Sequence, residues 1–351
     1  MKRIYSTVLS LFALSILFSC HKNSVPYTQS GNWVTMSQLN GPARSEAVSF
    51  VIDNFAYVGT GWDGLNTRYT DFWRYDPVNN IWSQVTSMPD SAARSSAVGF
   101  TANGKGYVGT GYDGFNYLKD FYELDLSANT WTRKSDFPGS ARYEAVAFGL
   151  GALGYVGTGF DGSNALKDFY QYDPSSDTWT DIGFSGNKRY GAVTFTNGNK
   201  AYLVTGVNSG VMQYDFWVFD PASDTAKWAQ LRNINNSSTD AFDDAYTTIA
   251  RWNGAAFTAY GYAFISTGEN ITNNNTTWQY TFPNGTSSGD LWAEKTPFEG
   301  PPTTGAVGFS LSSSTQGGGY IGTGRSAPGQ AGASDYLREF YPNQTQNPND
   351  N

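Results

Sequence analysis

A chain of 351 residues is long enough for several small domains or for one large repeat fold. Aromatics make up 16% of it and glycines number 39, a composition that argues for an all-β, turn-rich protein. The formal charge of −8 argues against non-specific nucleic-acid binding, which needs a cationic surface to displace counterions, so no nucleic-acid partner is expected.

The chain opens on a targeting segment. Lys2 and Arg3 form a positive start, and Val8 to Phe18 is an apolar run too short to span a bilayer comfortably. The run Leu17-Phe18-Ser19-Cys20 follows, and it resembles a bacterial lipobox, with Phe18 unusual for its position. Cys20 is the only cysteine and stands where lipidation requires it, which excludes a disulfide. Residues 1–19 are thus read as a lipoprotein signal peptide and 20–31 as a polar, lipidated tether. The expected location is the bacterial cell envelope, by anchoring at Cys20, and a monomer is expected.

From residue 32 onward the chain repeats itself. Tyr57 to Gly61 (Tyr-Val-Gly-Thr-Gly) returns at 107–111 and 155–159, and in weaker form at 202–206, 264–268 and 320–324, mostly about 50 residues apart. Each copy follows a run of small residues ending in Phe50, Phe100, Phe148, Phe195, Phe257 or Phe309. The first four are followed by an Asp-Phe-aromatic run starting at Asp71, Asp120, Asp168 and Asp215, read as turn-capping aspartates. A tryptophan then opens a fourth strand at Trp82, Trp131, Trp179, Trp228 and Trp292. The pairs Asn103-Gly104, Asn197-Gly198 and Asn284-Gly285 are hairpin signals. One such four-stranded sheet cannot bury both faces, whereas radial stacking buries a continuous core.

This pattern resembles the kelch repeat, with Gly-Thr-Gly standing in for the usual glycine doublet. The resemblance covers residues 32–342 and implies an all-β, six-bladed propeller, followed by a flexible tail at 343–351. The sixth repeat lacks a fourth-strand tryptophan, and Trp33 stands alone at the front. Trp33 precedes Arg44 by 11 residues, as Trp131 precedes Arg142, so the N-terminal strand is predicted to complete the last blade and close the ring.

In such a blade, the link from the previous blade and the loop between strands two and three share one face. That places Arg44, Arg94, Arg142, Arg189 and Arg251 beside Trp62, Tyr112 and Phe160 and beside Asp63, Asp113 and Asp161. Arginine offers bidentate recognition of carboxylate or phosphate, and rim aromatics can stack on sugars, so these residues are candidate binding groups. The spacing from Trp228 to Arg251 is 23 residues, about twice that in the other repeats. The extra segment, 233–246, adds Asp240, Asp243 and Asp244 as candidates.

The single histidine, His21, lies in the tether, so His-based triads and His-built metal centres are excluded from the propeller. Galactose oxidase has a kelch-type propeller, but its copper needs histidines and a cysteine-modified tyrosine; no metal or cofactor is expected here. Carboxylate chemistry stays open. Sialic-acid mutarotases are similar six-bladed kelch proteins, and Glu46 and Glu144 are candidates for proton transfer. The favoured function is a non-catalytic recognition module for a glycan or protein partner; the alternative is a sugar-acid mutarotase or related enzyme.

Overall fold

The computed structural model describes residues 30–283, 289–312, 318–326 and 332–350. The targeting segment, Cys20, His21, most of the tether and the Asn284-Gly285 pair lie outside these residues. The described residues form six four-stranded antiparallel sheets, the blades of a propeller. Blade one comprises Val48–Ile52, Phe55–Gly59, Phe72–Asp76 and Ile81–Val85. Blades two, three, four and five begin at Val98–Ala102, Val146–Leu150, Val193–Asn197 and Ala255–Ala259. Blade six joins Val307–Leu311, Gly318–Gly322 and Leu337–Tyr341 to the N-terminal strand Asn32–Thr35.

Each innermost strand packs on that of the next blade, and the sixth packs on the first. Small residues are a geometric necessity there. A Cβ on Gly149 would sit 1.8 Å from the carbonyl oxygen of Thr101, and one on Gly308 would sit 2.3 Å from that of Ala256. Within every blade the Phe of the first strand lies over an aromatic of the second. Phe50–Tyr57, Phe100–Tyr107, Phe148–Tyr155, Phe195–Tyr202, Phe257–Phe264 and Phe309–Tyr320 stack with centroids 5.1–5.5 Å apart. Such pairs add about 0.5–1.5 kcal/mol each beyond their burial.

The predicted closure is present. Trp33 pairs with Phe340 across the sheet and is completely buried against Phe340, Phe298 and Phe257. Its indole donates to the carbonyl of Thr296, four residues past Trp292. Trp82, Trp131, Trp179 and Trp228 make the same bond to Ser37, Thr86, Ser135 and Gly183, each four residues past the preceding tryptophan of the series. Trp33 therefore continues the series across the seam of the ring. Residues 343–350, read from the sequence as a tail, run back beside this strand: the Gly31 N–H donates to Gln344, the Thr35 N–H to Asp350, and Asn32 donates to Asp350 and accepts from Asn347.

Candidate binding site at the channel mouth

The five arginines do not reach a ligand. All are completely buried, and their donors are consumed inside their own blades. Arg44, Arg94 and Arg142 form bidentate pairs at 2.6–2.9 Å with Asp71, Asp120 and Asp168, and Arg189 pairs with Asp215. The same guanidiniums donate to the carbonyls of Thr60, Thr110, Thr158 and Thr205. Those threonines sit in left-handed backbone (φ 56–67°), three of them in Gly-Thr-Gly and Thr205 in Val-Thr-Gly. Burial would raise the pKa of Asp120, but the hydrogen bonds and charge of Arg94 hold it below the usual carboxylate range; Asp71 and Asp215 behave alike. The aspartates are thus ion-pair partners rather than turn caps. Arg251 lacks a carboxylate and bonds to the carbonyls of Thr248, Ile249, Thr267 and Thr276, so burial lowers its pKa. In blade six Thr303 fills the position.

The aspartates of the Asp-Gly loops are also structural. Asp63, Asp113 and Asp161 each accept two backbone N–H bonds within their own turn. Those of Asn164 and Ser163 hold the pKa of Asp161 down. The 233–246 segment folds over the flank of blade five, where Tyr246 packs on Trp278 and its hydroxyl accepts the Trp292 N–H. Buried Asp243 organises it by accepting from the Ser237 and Ser238 N–H groups, while Asp240 and Asp244 are exposed. None of these aspartates lines the channel mouth.

What does line the mouth lies two residues beyond each arginine position. Glu46, Ser96, Glu144, Gly191, Asn253 and Gly305 occupy equivalent places in the six blades. All six adopt left-handed backbone, with φ of 51–63°. Their main chains form a closed ring: each N–H donates to the carbonyl of the preceding blade at 2.7–3.1 Å, from Ser96 to Glu46 onward until Glu46 donates to Gly305. Glycine at two positions leaves room for neighbours, since a Cβ on Gly191 would meet the Asn253 amide and one on Gly305 the Glu46 stem.

This ring and the small residue after each member, such as Ala47, Ala97 and Ala145, line an open pocket of about 150 Å³. Two of its side chains are acids. Glu46 accepts from the Ser96 hydroxyl at 2.7 Å and meets Arg325 at 3.5 Å. Glu144 accepts from the Asn253 amide at 3.0 Å, across Gly191 of the intervening blade. Burial, and then the charge of Glu46, push the Glu144 carboxyl up to about 8, against the opposing effect of the Asn253 bond.

Around the pocket runs an arc of aromatic rings. Trp62, Tyr112 and Phe160 belong to it, as the sequence suggests, because each pairs with the link residue of its own blade, Ser45, Ser95 and Tyr143. The sequence did not single out Tyr117, Tyr143 and Tyr190, which complete it. Tyr112–Tyr117, Tyr117–Tyr143, Tyr143–Phe160 and Phe160–Tyr190 lie 5.1–5.8 Å apart. Arg68 lies over both Trp62 and Tyr112, and Arg325 lies over Trp62. The signal for Tyr143 and Tyr190 was their place between a recurring arginine and a varying ring residue. Among the described residues no group of three or more His, Cys, Asp or Glu could hold a metal ion.

Comparison with known proteins agrees with this architecture. Residues 86–251 match the KLHDC2/KLHL20/DRC7 Kelch-repeats domain and residues 43–89 match the Kelch motif, so the two matches together span more than half of the chain. The chain belongs to the kelch-repeat β-propellers. A solved structure, described as "Structure of YjhT", is similar over 86% of this chain and 95% of its own, with a TM-score of 0.68 and 16% identity, a likeness of fold. No curated protein matches.

Proposed function

We propose that this propeller is an envelope-anchored recognition module that binds a glycan or protein partner at the channel mouth. The observation that carries the reading is the aromatic arc around a polar pocket, on a face where the repeat's own cations are sealed inside the blades. Lipidation at Cys20 fits the strand direction. Asn32–Thr35 is an outer strand, running toward the arginine side, so the tether joins the propeller on the opposite side and leaves the channel mouth facing away from the anchor. Immobilised protein probed with glycan arrays and envelope extracts is expected to retain a ligand, with retention lost in Tyr143→Ala and Tyr112→Ala variants of parental melting temperature. Retention that both variants keep would move the binding site elsewhere.

One observation favours an acid–base enzyme acting on a sugar acid: a carboxyl titrating near 8 is poised to give or take a proton at neutral pH. Accelerated anomerisation of a sugar acid, followed by NMR and abolished in Glu144→Gln, would establish that role. Unchanged anomerisation would remove it.

A further inference from the structure

Two properties of the channel-mouth face are independent of each other. The first is charge. Among the described residues that line the pocket none is Lys, Arg or His, while two are glutamates. Glu269 of blade five adds a third carboxyl, whose charge, with that of Glu46, holds the proton on Glu144. The opposing group is Arg325, which meets Glu46 at the long distance of 3.5 Å while lying over Trp62. The second property is apolar exposure. Of the eight exposed large hydrophobic residues described, six sit on this face, in the loops between second and third strands: Leu65, Phe115, Tyr117, Val211, Tyr214 and Ile271. Phe115 and Ile271 are 91% and 93% exposed. Equivalent loops of blades one, two, four and five thus lift an apolar tip around an acidic centre.

We propose that this face docks a protein segment whose lysine or arginine side chain enters the pocket between Glu46 and Glu144 while apolar neighbours cover the loop tips. This rests on the recognition reading and commits it to one class of partner. Branched tips such as Leu65, Val211 and Ile271 offer no flat platform for a sugar ring, but they suit the irregular apolar side chains of a polypeptide. The pocket lies below the ~300 Å³ at which small-molecule sites usually begin, and its size fits one side chain. The aromatic wall already accommodates a guanidinium: Arg68 lies 4.8 Å from the Tyr112 ring centre. The formal charge of −8 steers a basic partner toward the protein. The charged and titratable groups that interact with Glu144 are Glu46, Glu269, Arg325, Tyr143 and Tyr190, and a cation placed between the two glutamates would drive off its proton.

The test uses purified full-length protein and fluorescent pentapeptides with an apolar residue on each side of a central Lys, Arg, norleucine or Glu, together with chitooligosaccharides. The Lys and Arg peptides are expected to bind, the norleucine peptide at least tenfold more weakly, and the Glu peptide not at all. Glu46→Gln and Glu144→Gln should each weaken the Lys peptide about tenfold. Phe115→Ser and Ile271→Ser, at positions too exposed to disturb folding, should weaken it several-fold. Calorimetry at pH 7 in two buffers should register proton release on binding, absent in Glu144→Gln. Equal binding of the Lys and norleucine peptides overturns the inference, as does binding that survives both glutamine variants. Oligosaccharide binding without peptide binding overturns it while leaving the recognition reading intact; binding of neither removes both.

Discussion

Arg142 and Glu144 are two residues apart on the same link, yet the fold treats them oppositely. Arg142 belongs to a series repeated in five blades; it is fully buried, and Asp168 and the Thr158 carbonyl satisfy it. Glu144 belongs to a position occupied by Glu, Ser, Gly or Asn, and its carboxyl accepts from an uncharged amide, that of Asn253. A side chain that recurs in blade after blade answers a need every blade has. One that differs between blades at a structurally equivalent place is free to serve a ligand, because a ligand breaks the symmetry of the ring.

Substitutions at repeated positions should break this comparison most visibly. Trp33→Ala removes a completely buried indole from the seam of the ring, and denaturant unfolding is expected to show a loss of about 3–5 kcal/mol. A loss below ~1 kcal/mol would mean that the seam contributes little. Arg94→Ala leaves Asp120 without its partner and should cost about 2–4 kcal/mol, reduced from the value for fully buried pairs because Asp120 is partly exposed. Asp71, Asp120 and Asp215 have folded pKa values below their unfolded ones. Their contribution is therefore fully present above pH 4 and is lost as pH falls through the folded values, so the parent should lose more stability on acidification than Arg94→Ala does. At the other end of the scale, Phe115→Ser and Ile271→Ser should change stability by less than about 0.5 kcal/mol, since neither side chain is buried. A larger loss would make those tips part of the fold.

The fold was legible because its signals are repeated and local. Six Gly-Thr-Gly-type runs set the blade count, and the interval from Trp33 to Arg44 marks the seam. The site was only half legible. Arginine's chemistry suggests a ligand-binding surface, but whether a guanidinium points outward depends on partners such as Asp71 and Thr60, which lie 27 and 16 residues away. Both partners were visible as repeats; their convergence on one side chain was not. The 233–246 insertion stands out in the sequence as a break in the repeat spacing. Its direction, outward over Trp278 and away from the channel, depends on where Tyr246 packs. The ring itself was hidden because its hydrogen bonds join main chains of successive blades and ask of the side chain only that it tolerate a left-handed backbone, a demand that Glu, Ser, Asn and Gly all meet.

Unfolding free energies of Arg142→Ala and Glu144→Gln, each measured beside the parent at pH 5 and pH 8.5, test the division between the two positions most directly. The Glu144 carboxyl has an ordinary value of 4.5 and is raised to about 8 in the folded chain. The native state therefore holds its proton longer, and stability falls as pH rises through that window. Glu144→Gln should match the parent at pH 5 and exceed it by about 1–3 kcal/mol at pH 8.5, whereas Arg142→Ala should lose about 2–4 kcal/mol at both. Glu144→Gln losing as much as Arg142→Ala at both pH values, or Arg142→Ala losing nothing, would contradict the account.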